Sequence, residues 1–202
     1  MKKLLGILFV GILLVGCNTT NEEQQKDTNE GNVKKDKEQQ VLLMQLLKAD
    51  EENGVTLEEE MYQELSGLVE ANPDIGVADD FSIHGIDLVK TKEGESVMLF
   101  LGINKLEKGI KDITLEYTLG VETDGKVEYI FDNEEINLLE PFAGVIQPNH
   151  AIPFTVPVTP EGKELLQLMT EENKTVKIEN AKFELENKKS ATAFHEVVAL
   201  LC

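Results

Sequence analysis

The chain has 202 residues, with 38 acidic side chains against 19 basic ones, a net charge of −19 and no tryptophan. Every basic residue is a lysine, so the planar fork that grips phosphates and guanine edges is missing from a surface that already repels polyanions. Composition therefore argues against nucleic acid as a partner.

The chain opens MKKLLGILFVGILLVGC. Lys2 and Lys3 precede an apolar run from Leu4 to Val15, which is the layout of a secretory signal, and the run is shorter than the roughly 18 to 20 residues a spanning helix needs. The residues Leu14-Val15-Gly16-Cys17 resemble the lipobox of bacterial lipoproteins. That resemblance implies cleavage before Cys17, lipidation of Cys17 with two acyl chains on its sulfur, and anchoring to the outer face of the bacterial cytoplasmic membrane. Two chains, at about 0.8 kcal/mol per buried methylene, hold a protein stably where one does not. With residues 1–16 read as signal peptide, the mature charge is 17 minus 38, or −21. Only Cys202 then remains as a thiol, read as a small apolar residue closing a C-terminal element.

Residues 17–37 are rich in Asn, Glu, Gln, Lys and Asp. They hold too little apolar surface to fold and read as a flexible polar tether, whose twenty or so residues span roughly 25 Å as a coil.

Over 38–73 the periodicity becomes helical and predicts a hairpin of two helices. The first is EQQVLLMQLLKAD, the second LEEEMYQELSGLVEA, with Leu57, Met61, Leu65 and Leu68 on one face. Asn53-Gly54 supplies the turn, Thr56 and Glu59 have capping-box spacing, and Asn72-Pro73 is a stop. The apolar stripe reads as core docked on its own domain, with a partner-binding surface as the alternative.

From 79 to 202 the period is two, with turns every eight to twelve residues, so the chain is expected to be mainly β: an immunoglobulin-like antiparallel β-sandwich preceded by the N-terminal helical hairpin, with a barrel as the alternative. Phe81, Ile83, Ile86 and Leu88 alternate only if the register slips at Gly85. SVMLFLGIN is apolar on both faces, as in a strand covered on both sides, and the helices are the natural cover. DITLEYTLGVE alternates, with Ile113, Leu115, Tyr117, Leu119 and Val121 inward, and Asp124-Gly125 turns it into KVEYIF. Pro153 and Pro157 mark an edge strand. Thr159-Pro160 caps a short helix, TVKIENAKFELE reads as two strands with a turn near Asn180, and ATAFHEVVALLC fits a strand or a last helix. The phrase GVIQPNHAIPFTVP is similar to the late part of sandwich domains in exported proteins of Gram-positive bacteria; this likeness bears on fold and carries no functional residue across.

No motif for chemistry emerges. His84, His150 and His195 stand at spacings that match no zinc site. The acidic runs Asp79-Asp80 and Asp132-Asn133-Glu134-Glu135 are candidates for a calcium site if they meet at one end of the sandwich, though neither is an EF-hand loop. No activated-nucleophile or phosphate-cradle pattern is present. The reading is of a membrane-anchored surface lipoprotein acting as a non-catalytic binding or structural module, with an envelope protein or cell-wall component as its partner. Catalytic residues, metal ligands and cofactors are not assigned. The alternative is a cell-envelope hydrolase or metal-dependent enzyme whose site assembles from dispersed Asp, Glu and His. Substrate capture between two lobes fits poorly, because the β region is too short for two.

Overall fold

A computed structural model of the protein describes residues 41–186 and the backbone of two further strands, Thr192–Phe194 and Val198–Leu201. Residues 1–16 and 17–37, read from sequence as a signal peptide and a tether, lie outside the described residues, Cys17 among them.

The architecture is mainly β, with two sheets packed face to face in the manner of a β-sandwich. One sheet holds β1 (Leu43–Met44), β2 (Phe81–Lys90), β3 (Ser96–Asn104), β6 (His150–Pro157) and β9 (Val198–Leu201), in the order β1-β6-β3-β2-β9. The other holds β4 (Ile110–Thr123), β5 (Lys126–Leu138), β7 (Lys174–Leu185) and β8 (Thr192–Phe194), in the order β5-β4-β7-β8. Four helices decorate them: α1 (Lys48–Glu52), α2 (Glu60–Ala71), α3 (Glu140–Ala143) and α4 (Pro160–Leu168).

Strand β3 sets the layering. Its even-numbered side chains Met98 and Phe100 enter the core between the sheets, while Leu99, Leu101 and Ile103 lie on the opposite face in a separate cluster with Tyr62, Leu65 and Val69 of α2. The two-faced apolar pattern of SVMLFLGIN thus has the cover it requires. Phe100 stacks on Phe154 at 5.3 Å and meets Tyr117 edge-on at 5.4 Å, with Phe131 at 6.2 Å. These are the offset and edge geometries that aromatic quadrupoles favour. The inward face expected of β4 is also present, since Ile113, Leu115, Tyr117, Leu119 and Val121 are all buried.

Residues with positive φ shape the strands. Asp124 and Gly125 form the two-residue turn between β4 and β5, both at positive φ as a type I′ turn demands. The register between β2 and β3 shifts between Gly85 and Asp87, where alternation required it. Asn180, however, is not a turn. It sits at φ 54° within the single continuous strand β7, opposite a register shift in β4. Asn tolerates the left-handed region and so permits a bulge, whose local signature in sequence equals that of a turn. Asn133, at φ 53°, does the same in β5, and its backbone N–H donates to Thr118 Oγ1 at 3.2 Å.

The expected hairpin of two helices over 38–73 is corrected in its first half. Among the described residues, Leu43–Met44 is a strand parallel to β6, and the helix that follows covers only Lys48–Glu52. Six apolar residues interrupted only by Gln45 over 41–47 fit a short strand as well as a helix, so the open edge of β6 decides the conformation. The second helix stands, ending at Ala71, where Asn72 donates from its side chain to Leu68 O at 2.8 Å. Its start differs: Thr56 closes a preceding turn through Glu58 N, and the helix begins at Glu60 without a side-chain cap.

The edge assignment of β6 holds for most of its length. Gln45 N donates to Ala151 O at 2.8 Å, so the backbone groups of Ala151, Pro153 and Pro157 point away from β3, toward the sheet edge. Only His150 and Ala151 are paired on that side, by β1. Thr159 caps α4 as expected, accepting from Gly162 N at 3.0 Å. At the far end of β3 the buried Asn104 donates to the carbonyls of Lys108, Ile146 and Gln147 and accepts from Leu106 N. One amide thereby satisfies the chain's passage from one sheet to the other.

Tyr117 is fully buried, and its hydroxyl has no hydrogen-bond partner among the described residues. Burial alone pushes its pKa upward. Leaving such a donor unmet costs about 1–3 kcal/mol, and removing it while keeping the ring costs nothing in packing. Tyr117→Phe is expected to stabilise the protein by about 1 kcal/mol, raising Tm by roughly 2–4 °C in a calorimetric comparison with wild type.

Candidate functional site

A shallow, open groove of about 530 Å³ lies where β1 and α1 meet α3 and the loop that follows it. Its apolar lining comes from Met44, Leu46, Leu57, Ala143 and Val145, and its polar lining from Gln45, Lys48, Glu51, Gln147 and His150. Gln45 builds it. The side-chain amide donates to Val145 O at 2.8 Å and accepts from Gln147 N at 3.0 Å, copying the pairing a further strand residue would make. Gly144, at φ 77°, lets α3 approach α1 closely; a Cβ there would lie 3.2 Å from Lys48 Cβ.

His150 Nδ1 lies 2.8 Å from Pro148 O. When the neutral ring donates there, its Nε2 becomes the acceptor. Above the groove, Tyr62 is fully buried, its hydroxyl donating to Asp50 Oδ2 at 2.6 Å and accepting from Leu47 N at 3.2 Å. Burial, and then the hydrogen bond to Asp50, push its pKa upward. Sequence reading missed Tyr62, although its three- and seven-residue spacing to Leu65 and Val69 marks the buried face. The stripe named from sequence is rotated relative to this face: Leu65 is buried, but Leu57 and Met61 are 45% and 42% exposed.

The acidic runs do not meet as a loop cluster. Asp79-Asp80 precede β2, whereas Asp132–Glu135 lie inside β5, where Glu134 and Glu135 pair with Tyr117 and Glu116. Among the described residues, no three His, Cys, Asp or Glu side chains are grouped to hold a metal ion. What the second sheet does assemble is a row of carboxylates, since Glu116 faces Glu135 on one side and Glu179 on the other. Like charges directly opposite one another destabilise a sheet.

His84 is 6% exposed on β2, opposite Leu101 of β3 and Leu200 of β9. Burial, and secondarily the charge of Lys174, pull its pKa below the ordinary 6.5. His195 and Cys202 lie outside the described residues, as Cys17 does. No described helix is long and apolar enough to cross a membrane. No protein-family model, curated protein or solved structure matches the chain.

Two measurements test these electrostatics. Because the folded state holds His84 neutral, the unfolded chain binds the extra proton as pH falls through about 6.5. Urea midpoints should therefore drop between pH 7 and 5.5, and His84→Gln should flatten that slope; an equal slope in both proteins refutes it. Glu116→Gln should stabilise by roughly 0.5 kcal/mol in low salt, and the gain should shrink in 1 M salt, where the screening length falls to about 3 Å.

Proposed function

We propose that the chain is a lipid-anchored, exported module with an immunoglobulin-like sandwich, acting at the outer face of the bacterial cytoplasmic membrane as a non-catalytic binding or structural component of the envelope. The observation that carries the location is Cys17, placed directly after a basic start and an apolar run and directly before a polar stretch. Nothing else in the sequence explains that junction as economically.

Support for the immunoglobulin-like arrangement comes from strand order. The first, second and fifth strands of the region after α2, namely β2, β3 and β6, share one sheet, while β4, β5, β7 and β8 share the other. That is the partition of sandwiches in which a fourth strand is added beside the third. The final strand, β9, returns parallel to β2.

Support for a binding role comes from the groove, whose apolar and polar lining residues offer both contact area and directional groups.

Intact-mass analysis of membrane-extracted protein tests the anchor. Wild type is expected to begin at Cys17 and carry lipid mass, and Cys17→Ala is expected to lack the lipid and leave the membrane fraction. A wild-type protein that retains residues 1–16, or has no lipid, overturns the proposal.

A further inference from the structure

We infer that residues 42–71 form a detachable cover over the first sheet, able to lift as a unit while the two-sheet body stays folded. The buried side chains fall into two clusters that share no residue. One lies between the sheets and is centred on Phe100. The other lies between the first sheet and α2, and holds Tyr62, Leu65 and Val69 against Leu99, Leu101, Ile103 and Ala151. The sheet backbone separates them, so the second can be exposed without opening the first.

The cover also comes first in the chain. Strands β2 to β9 run on from Phe81 without passing back through it, and no ladder of the body is interrupted when it leaves. Its own fastenings are few. β1 has two register partners on β6, extended by the Gln45 amide. Helix α1 has no buried residue, and neither α1 nor α2 has a side-chain hydrogen bond at its N-cap. Leu47 is the one residue of the segment that belongs to the inter-sheet cluster.

Tyr62 is the clasp. Its hydroxyl ties α2 to Asp50 of α1 and to the backbone of Leu47 at the start of α1, so a single buried oxygen joins the cover's two helices. The segment buries six side chains, Leu42, Met44, Leu47, Tyr62, Leu65 and Val69, beside a much larger inter-sheet core, and the less fastened part of a fold opens below the global unfolding free energy. Lifting this one uncovers Leu99, Leu101, Ile103 and the outward backbone groups of β6 near Ala151, a surface apolar in its middle and hydrogen-bonding at its rim.

Hydrogen exchange read by mass spectrometry across a denaturant series tests the inference on the full chain. Amides of α2 are expected to exchange through an opening with a smaller denaturant dependence than those of β4 and β7. Tyr62→Phe should speed exchange in α2 roughly tenfold while leaving β4 and β7 unchanged, since it orphans Leu47 N and Asp50 without touching the inter-sheet core. Val69→Ala, which loosens the same layer by a different route, should give the same selective pattern. A common opening for α2 and β4, or acceleration of both by the same factor in either variant, overturns it.

Discussion

Phe100 lies nearly parallel to Phe154, edge-on to Tyr117 and tilted against Phe131, so one side chain touches aromatic partners from both sheets. Everything else in the layering depends on where that ring can point. Once Phe100 faces inward, strand alternation turns Leu99 and Leu101 to the other side of the same sheet, and three large aliphatic residues with Ile103 require a second cover. Helix α2 is thus a consequence of the strand beneath it. A sheet with one wet face would not need it, and the outer face of the second sheet carries the charged Glu116, Glu135 and Glu179.

The molecule is pinned at its irregular places by amides and one phenol. Asn104 meets three carbonyls and one N–H where the chain crosses between sheets, Gln45 imitates a strand residue beside the groove, and Tyr62 gathers the N-terminal pieces. Each group is neutral, which suits a chain whose charges are so one-sided: desolvating a neutral amide costs far less than desolvating a carboxylate. Tyr117 shows what happens otherwise, a ring kept for its shape whose hydroxyl meets nothing described.

Much of this was legible in the sequence where a single physical cause acts locally. The inward face of β4, the slip at Gly85, the Asp124-Gly125 turn, the Thr159 cap and the two-faced character of β3 all follow from period, φ preference or a side-chain oxygen near a free N–H. The failures share a different cause. Leu42 to Leu47 reads as helix because a short, nearly continuous apolar run fits a helix and a strand alike, and the deciding partner, the edge at Ala151, lies over a hundred residues away. Asn180 and Asn133 read as turn and loop because a bulge and a turn ask the same thing of one residue and differ only in what lies opposite. The groove was invisible for the first reason, being assembled from two segments far apart in sequence, and the buried face of α2 was misplaced because Tyr62 was not counted as apolar.

The two outward prolines of β6 have a meaning beyond strand assignment. An exposed sheet edge is a template on which a second chain can grow, and crowding makes such growth a matter of time. Beyond Ala151 this edge lacks an N–H at both Pro153 and Pro157, with Thr155 alone between them, so an incoming strand would find acceptors but only one donor in that direction. At His150 and Ala151 the same side is already paired with β1. Beyond the reach of β1, the β6 edge is therefore a poor template for an added strand.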